Sequence, residues 1–546
     1  MTAAAGQAGH GARGTAPIPV IDSFNPRYVR AARLRVTLDF AVTALAAIAL
    51  MAIAAFWSRI FVDGDTNWHV AAGRWILAHH TVPQVDPFSY TYAGHPWIAH
   101  EWLSEVLMAL AYAAAGWGGV VLVVGVAAGL AYAMIAAELR LWMGPVGQVI
   151  GLVLSYACLQ AFLYARPHII ALPLLVFWTR MLLAARREHR APPLWIAPLM
   201  MLWANLHASF IFGFVLMAPF ALEALAVEAD KRRAVLGWGV FGVLSLGFAL
   251  VTPHGLKGLL FPFQVMTMKI LPNILEWRGA TFQSLTAFEA ALMATLFLGL
   301  WRGIRIPPLR LLLLVGLVHM ALQHVRQQAQ LAALAPLLLA EPFGLALARG
   351  SPRPRPGARF TWPELKAWLS PAVAGVLALA AVGVAAARLA MPLERHDNGN
   401  VPVTALAHVP ADIARQPVFN EYAFGGYLIF KGVRPYIDGR ADMYGDDFVK
   451  EYLAVLVGRQ PDVDREFKRW GVRWTILSPR GALVAWLDRS PHWRRLYADR
   501  WAVVHVAVDT PSPGANVTLP DEQPHQLVAT PDPREHADRN HHPLER

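Results

Sequence analysis

Cysteine is almost absent: Cys158 is the single one in 546 residues, and it lies inside an apolar run. No intramolecular disulfide can form, so cysteine usage says nothing about compartment. Charged residues are also scarce, at 16% against 56% hydrophobic, where soluble domains hold roughly 45–50% apolar residues. Acidic groups are fewer than basic ones, and the formal net charge is +11. The basic residues fall in short clusters between apolar runs, which is what a positive-inside bias produces. That pattern argues against nucleic acid as a partner. The chain shows no internal repeat of the transporter kind and no cleavable signal, because its first apolar run is long enough to stay as an anchor.

What is present is a series of apolar runs of membrane-spanning length, each needing about 20 residues. Residues 1–36 read as a cytoplasmic tail, with Arg27, Arg30, Arg33 and Arg35 just before the first span. Residues 37–390 read as the transmembrane domain. Spans are expected at about 39–59, 117–137, 148–164, 168–185, 193–206 and 209–227. Further spans are expected at about 234–251, 286–301, 309–323, 329–346 and 370–390, about eleven in all. The run 102–115 is short and carries Glu105. If it crossed, Arg186, Arg187 and Arg190 would be carried outside, so it reads as an interfacial helix closing a long external loop, residues 60–116. The remaining basic clusters, Lys231/Arg232/Arg233, Arg302/Arg305/Arg310 and Arg349/Arg353/Arg355/Arg359, then share the inner side. Residues 351–357 (SPRPRPG) read as a Pro-rich linker.

Residues 391–508 read as a small α/β domain on the outer side. Strands are expected at 417–419, 434–437, 472–477 and 501–508, and helices at 447–456 and 482–487. Residues 509–546, rich in Pro, His, Asp and Arg, read as a disordered tail. The expected fold class is therefore an all-α polytopic membrane protein with a small C-terminal extracytoplasmic α/β domain.

This threading gathers polar residues on one face. Asp63, Asp65 and His69 follow the first span; His100 and Glu101 end the long loop. Arg166 and His168 flank Pro167, Asn205 and His207 occupy one short turn, and His324 and Arg326 another. His254 and Glu276 lie in one loop, and Asn420, Glu421, Asp438, Arg440 and Asp442 in the C-terminal domain. Ionisable groups near a membrane are costly, so their gathering on one face indicates a site. Each alone is as well explained by structure: Asp65 or Thr66 as a helix cap, Asp438 and Arg440 as an internal pair. Asp63 and Asp65, two residues apart, can share a cation or a hydroxyl, and a half-buried carboxylate can serve as general base. His-x-x-x-His spacing is missing around His69 and His100, so a structural zinc site is not expected.

The order of these parts resembles the GT-C glycosyltransferase superfamily, which includes protein O-mannosyltransferases, aminoarabinose transferases and oligosaccharyltransferase catalytic subunits. The resemblance lies in the acidic pair opening the first external loop, the amphipathic helix closing it, the many spans and the C-terminal domain. The segments DTNWHVAAGRWILAHHTVPQVDPFSYTYAGHPWIAHEWLSEVL, LWANLHASF, TPHG with Glu276-Trp277, and NEYAFGGYLIFKGVRPYIDGRADMYG are similar to a group of bacterial GT-C-like proteins. The resemblance implies an enzyme of the bacterial inner membrane. It would transfer a sugar, with inversion, from a polyprenyl-phosphate donor to an extracytoplasmic glycan, lipid or protein. Asp63 or Asp65 would be the base, and Arg166 or Arg326 would hold the donor phosphate. His69, His100, Glu101, His168, Asn205, His207, His254, Glu276, Asn420, Asp438 and Arg440 would line the acceptor cavity. The resemblance leaves a divalent cation, Mg or Mn, open as a cofactor without requiring one. Two departures stand out. The Arg166-Pro167-His168 turn lacks the second acidic motif of oligosaccharyltransferases, which weakens the case for a catalytic metal, and no Trp-Trp-Asp-Tyr-Gly motif occurs, which disfavours peptide N-glycosylation. A transporter or assembly factor for lipid-linked glycans, and a hydrolase or ligase using His207 or His254, remain as alternatives.

Overall fold

The computed structural model describes residues 26–348 and 370–508; the expected Pro-rich linker at 351–357 and the expected tail at 509–546 lie outside them. Helix α1 (Pro26–Phe56) leads into the acidic loop, and α2 (Asp65–His79) starts inside that loop. The bundle continues with α3 (Trp102–Leu139), α4 (Pro145–Leu159), α5 (Pro167–Arg187), α6 (Leu199–Leu206), α7 (Ile211–Val227) and α8 (Lys231–Ala249). It closes with α9 (Gly255–Met266), α10 (Ala287–Arg302), α11 (Pro308–Gln323), α12 (Gln328–Leu347) and α13 (Pro371–Ala390). Among the described residues, six helices are long and apolar enough to cross a membrane.

The expected interfacial helix is the first arm of α3. The backbone breaks at Ala115 and at Gly116, whose φ of 54° suits a residue without a Cβ. Leu107 and Leu110 are exposed on this arm while Met108, Ala109 and Tyr112 are buried. Gly73 of α2 packs against the backbone of Glu105 with no room for a Cβ, so α2 and this arm lie tightly together. The expected span at 193–206 is different. It is a short turn (Leu194–Ile196) followed by α6, and the eight residues of α6 reach only about 12 Å, well short of a hydrocarbon core of about 30 Å. Pro193 and Pro198 delay its start, and His207, extended at φ −168°, ends it.

One end of the bundle carries a network of ion pairs. Arg187 and Arg180 bind Glu138, Arg186 binds Glu228, and Arg310 binds Glu223 and Glu341. Arg166 sits at the other end of α5, about 30 Å away along the helix. Arg186, Arg187 and Arg310, three of the basic residues expected to face one compartment, are therefore matched by glutamates in the fold.

The C-terminal unit holds α14 (Val403–Ala407), α15 (Ala411–Ala414), β1 (Val418–Asn420), α16 (Gly425–Phe430), α17 (Ala441–Leu456) and α18 (Gln460–Trp470). Then come β2 (Trp474–Leu477), α19 (Ala482–Leu487), β3 (Trp493–Ala498) and β4 (Val503–Ala507). The sheet order is β1-β2-β4-β3, with β1 parallel to β2 and the other pairings antiparallel. The segment 434–437, expected as a strand, is not one. Pro435 removes a ladder donor, and the neighbouring groups are taken by a side chain: Asn420 accepts from Tyr436 N and donates to Ile437 O, each at 2.8 Å.

This unit is bonded to the loop after α2. Arg440 donates to Asp86 and Asp438 at 2.7 Å, and all three are essentially unexposed. Tyr444 Oη adds a 2.7 Å bond to Asp438. Thr91 and Tyr92 donate to the carbonyls of Tyr436 and Tyr444. Deleting one member of such a buried charge set costs about 3–5 kcal/mol, because its partners stay buried and unpaired.

Candidate active site

A cavity of ≈ 1060 Å³ lies where the bundle, the loop and the C-terminal unit meet. Its wall includes Asp63, Asp65, His69, His100, Glu101, Arg166, His168, His207, Glu276, Arg326 and Arg440. Of the residues expected in the site, Asn205, His254, Asn420 and Asp438 lie off this wall. Asn205 braces helices, accepting from Trp102 Nε1 at 2.7 Å and donating to Val251 O. Asn420 and Asp438 are internal to the C-terminal unit, as described above. Arg440 touches the cavity, but its guanidinium serves Asp86 and Asp438.

The acidic pair owes its placement to local backbone geometry. Gly64, not Asp65 or Thr66, takes the cap position of α2, and no side chain caps it. Asp63 Oδ1 accepts from Asp65 N at 3.0 Å, a turn that fixes the two carboxylates relative to each other. Asp65 opens the helix, where the macrodipole favours negative charge. Arg395 ties down the segment from behind, donating to Phe61 O, Asp63 O and Asn67 Oδ1 at 2.9–3.1 Å.

Arg166 precedes Pro167, the first residue of α5, and is held extended at φ −131°, ψ 160°, as a residue before proline should be. Its guanidinium is surrounded by carboxylates: Asp63 through Nε and Nη2, Asp65 through Nη2, and Glu276 through Nη1 at 2.6 Å. The donors of Arg166, one of the two arginines expected at the donor phosphate, all point to these three acids. Glu276 also faces Arg326 Nη1 at 4.0 Å. The Arg326 turn is paired to the Glu276 loop by Val325 N donating to Arg278 O at 2.9 Å, and its guanidinium lies 4.5 Å from the Trp277 ring centre. Arg326 is thus the cation of the set with a single, long carboxylate contact.

One guanidinium cannot neutralise three acids. Burial raises the Asp63 carboxyl above its ordinary range against the pull of Arg166. Burial, with repulsion from Asp63 and Glu276, pushes Asp65 up to about 7, only partly offset by Arg166. Burial also works against the charge on Glu276, but Arg166 and Arg326 outweigh it and hold that group low.

A second cluster lies on the same wall. Burial lowers His69 and His207 to about 3, so both imidazoles are neutral. His207 Nδ1 accepts from Ser209 N at 2.9 Å, which leaves Nε2–H to donate to Glu101 Oε1 at 3.2 Å. Burial opposes the charge on His100, but Glu101 overrides it and raises that group. His168 Nε2 donates to Phe162 O at 2.9 Å.

Glu105, Tyr422 and Arg395 belong to the site's surroundings and were not expected there. Glu105 carried a signal: an ionisable group on an otherwise apolar helix. Tyr422 and Arg395 carried none, because their positions depend on how the C-terminal unit docks.

No known protein-family profile matches the chain, and no curated protein matches it. Among solved structures it is similar to ArnT from Cupriavidus metallidurans bound to undecaprenyl phosphate. That match has 16% identity over 85% of this chain and 98% of that one, with a TM-score of 0.44. It is also similar to the archaeal oligosaccharyltransferase AglB from Archaeoglobus fulgidus in complex with an inhibitory peptide and a dolichol-phosphate. Here the identity is 12% over 80% of this chain and 69% of that one, with a TM-score of 0.45. The Archaeoglobus fulgidus oligosaccharyltransferase in its apo form matches at 12% identity over 83% of this chain and 70% of that one, also at 0.45. Likeness at this level transfers no residue roles.

Proposed function

We propose that the protein is a membrane glycosyltransferase that moves a sugar from a polyprenyl-phosphate donor to an extracytoplasmic acceptor. The observation that carries this reading is the unbroken line of charges Asp65–Arg166–Glu276–Arg326 on one cavity wall. It sets a carboxylate poised near neutrality in the same enclosure as a cation with spare donors. Val215, Phe261, Val265 and Leu456 line the same space, giving apolar surface for an isoprenoid chain. The sequence resemblance to GT-C enzymes points the same way.

In this mechanism Asp65 takes the proton of the acceptor hydroxyl. The acceptor oxygen bonds to the sugar's anomeric carbon from the face opposite the phosphate, with inversion. The bond from that carbon to the phosphate oxygen breaks, and its electron pair leaves with the polyprenyl phosphate. Arg326 receives the phosphate and stabilises its growing charge. Arg166 does not contact substrate; it holds Asp63 and Asp65 in place, and Asp63 orients Asp65.

The test is incubation of purified protein with labelled polyprenyl-phosphate sugars and a membrane extract as acceptor source. Transfer by the wild type and its loss in Asp65→Asn support the reading. Full transfer by Asp63→Asn, Asp65→Asn and the double variant removes the base role.

A further inference from the structure

The acidic pair is a poor place for a divalent cation. Arg166 already occupies the space between Asp63 and Asp65, and a metal there would sit against a guanidinium. A different group on the wall has no guanidinium in its midst; the cation beside it is His100, whose Nε2 lies 3.6 Å from Glu101 Oε1 and leaves Glu105 Oε2 unpaired. His69 Nδ1 lies 3.4 Å from Glu105 Oε1, and His69 Nε2 lies 3.8 Å from Glu101 Oε2. One ligand atom from each of His69, Glu101 and Glu105 fits within 4.8 Å. His69 and Glu105 are 3% and 1% exposed, and Glu105 Oε2 is buried with no hydrogen-bond partner. One imidazole stands between two carboxylates, and neither ring nitrogen reaches Glu105 Oε2. Leaving a buried carboxylate oxygen unpaired costs about 1–3 kcal/mol or more. Among the described residues no arginine bonds directly to Glu101 or Glu105; Arg440, the nearby candidate, is taken by Asp86 and Asp438.

We propose that His69, Glu101 and Glu105 form a divalent-cation site opening on the cavity. One nitrogen and two carboxylate oxygens suit Zn²⁺ or Mn²⁺. Bonds of about 2.1 Å in a tetrahedral site put ligand atoms about 3.4 Å apart; the set here spans up to 4.8 Å, so the side chains need to close by about 1 Å, within reach of rotamer adjustment. His207 is a positioning residue: its Nε2–H holds Glu101 Oε1, as outer-shell groups orient ligating carboxylates. Three protein ligands leave a position for an oxygen of a molecule bound in the cavity, the arrangement of catalytic rather than structural sites. The sequence hides the site because its ligands come from α2, from the end of the loop and from α3, 36 residues apart at the widest.

Full-length protein in detergent, stripped with chelator and equilibrated with Zn²⁺ or Mn²⁺, is assayed by elemental analysis, calorimetric titration and thermal unfolding. The expected result is one cation per chain with a raised melting temperature. His69→Ala and the near-isosteric Glu105→Gln should lose both, and His207→Ala should bind about 10–100-fold more weakly. Absence of binding in the wild type, or unchanged binding in His69→Ala and Glu105→Gln, overturns the site. Loss of binding in Asp63→Asn/Asp65→Asn alone overturns it too, by moving the metal to the acidic pair. These readouts need no sugar transfer, so the site stands or falls separately from the proposed reaction.

Discussion

Gly439 backs directly onto the carboxylate of Asp65, leaving no room for a Cβ between them. Gly426 is pressed in the same way against the carbonyl of Gly64. The C-terminal unit therefore forms one side of the slot in which the proposed base sits.

Gly439→Ala should push the Asp65 carboxylate out of position while the buried Arg440 set keeps the unit docked. A shift of about 1 Å at a reacting group can cost about 100-fold, so kcat should fall by about that factor. Overpacking should lower stability by about 1–3 kcal/mol. Steady-state kinetics beside a thermal unfolding curve measure both; unchanged kcat would place the base elsewhere.

The rate should depend on pH through Asp65. Its carboxyl is pushed up to about 7 by burial and by its acidic neighbours, and the base works only when ionised. kcat/KM should rise about tenfold per unit below that midpoint and level off above it. Arg166 pulls this group down, so Arg166→Gln should move the midpoint upward. A profile flat from pH 5 to 9 in the wild type would contradict the assignment.

Stability should respond oppositely at the two ends of the Asp65–Arg166 pair. Arg166→Met leaves buried carboxylates unpaired and should cost about 3–5 kcal/mol near pH 8. Asp63 and Asp65 have folded-state values raised above their unfolded ones, so protonation favours the fold. The loss in Arg166→Met should therefore shrink as pH falls toward 5. Asp65→Asn removes one of the acids crowding a single guanidinium and should melt at or above the wild-type temperature. Melting curves of both variants at pH 5 and 8 give the answer.

Arg326→Gln removes the cation proposed to receive the donor phosphate. A hydrogen bond to a charged group is worth about 1.5–3 kcal/mol, so KM for the donor should rise roughly 10-fold or more. The melting temperature should hardly move, because the residue's ion contact is a single one at 4.0 Å. A donor KM within twofold of the wild type would take Arg326 out of the phosphate role.

Much of the architecture is legible in the chain. Apolar runs of span length and the odd run 102–115 locate the helices and the break before Gly116, because hydrophobic length and periodicity are local properties. The partition of polar residues between the two ends likewise brings Asp63, Arg166, Glu276 and Arg326 to one cavity. The expected strand at 434–437 fails because its hydrogen bonds go to the Asn420 side chain, and the expected helix at 193–206 is short, Leu194–Leu206, because proline and His207 bound it.

Chain order alone assigns most of these ionisable groups to the cavity end, since burying apolar runs in helices leaves each on one side or the other. Which of them touch follows from the packing of distant segments. Arg166 meets acids 101 to 110 residues distant, and its guanidinium is shared among them. The physical reason is that charge interactions depend on separation in space and on burial, and neither is written in the spacing along the chain.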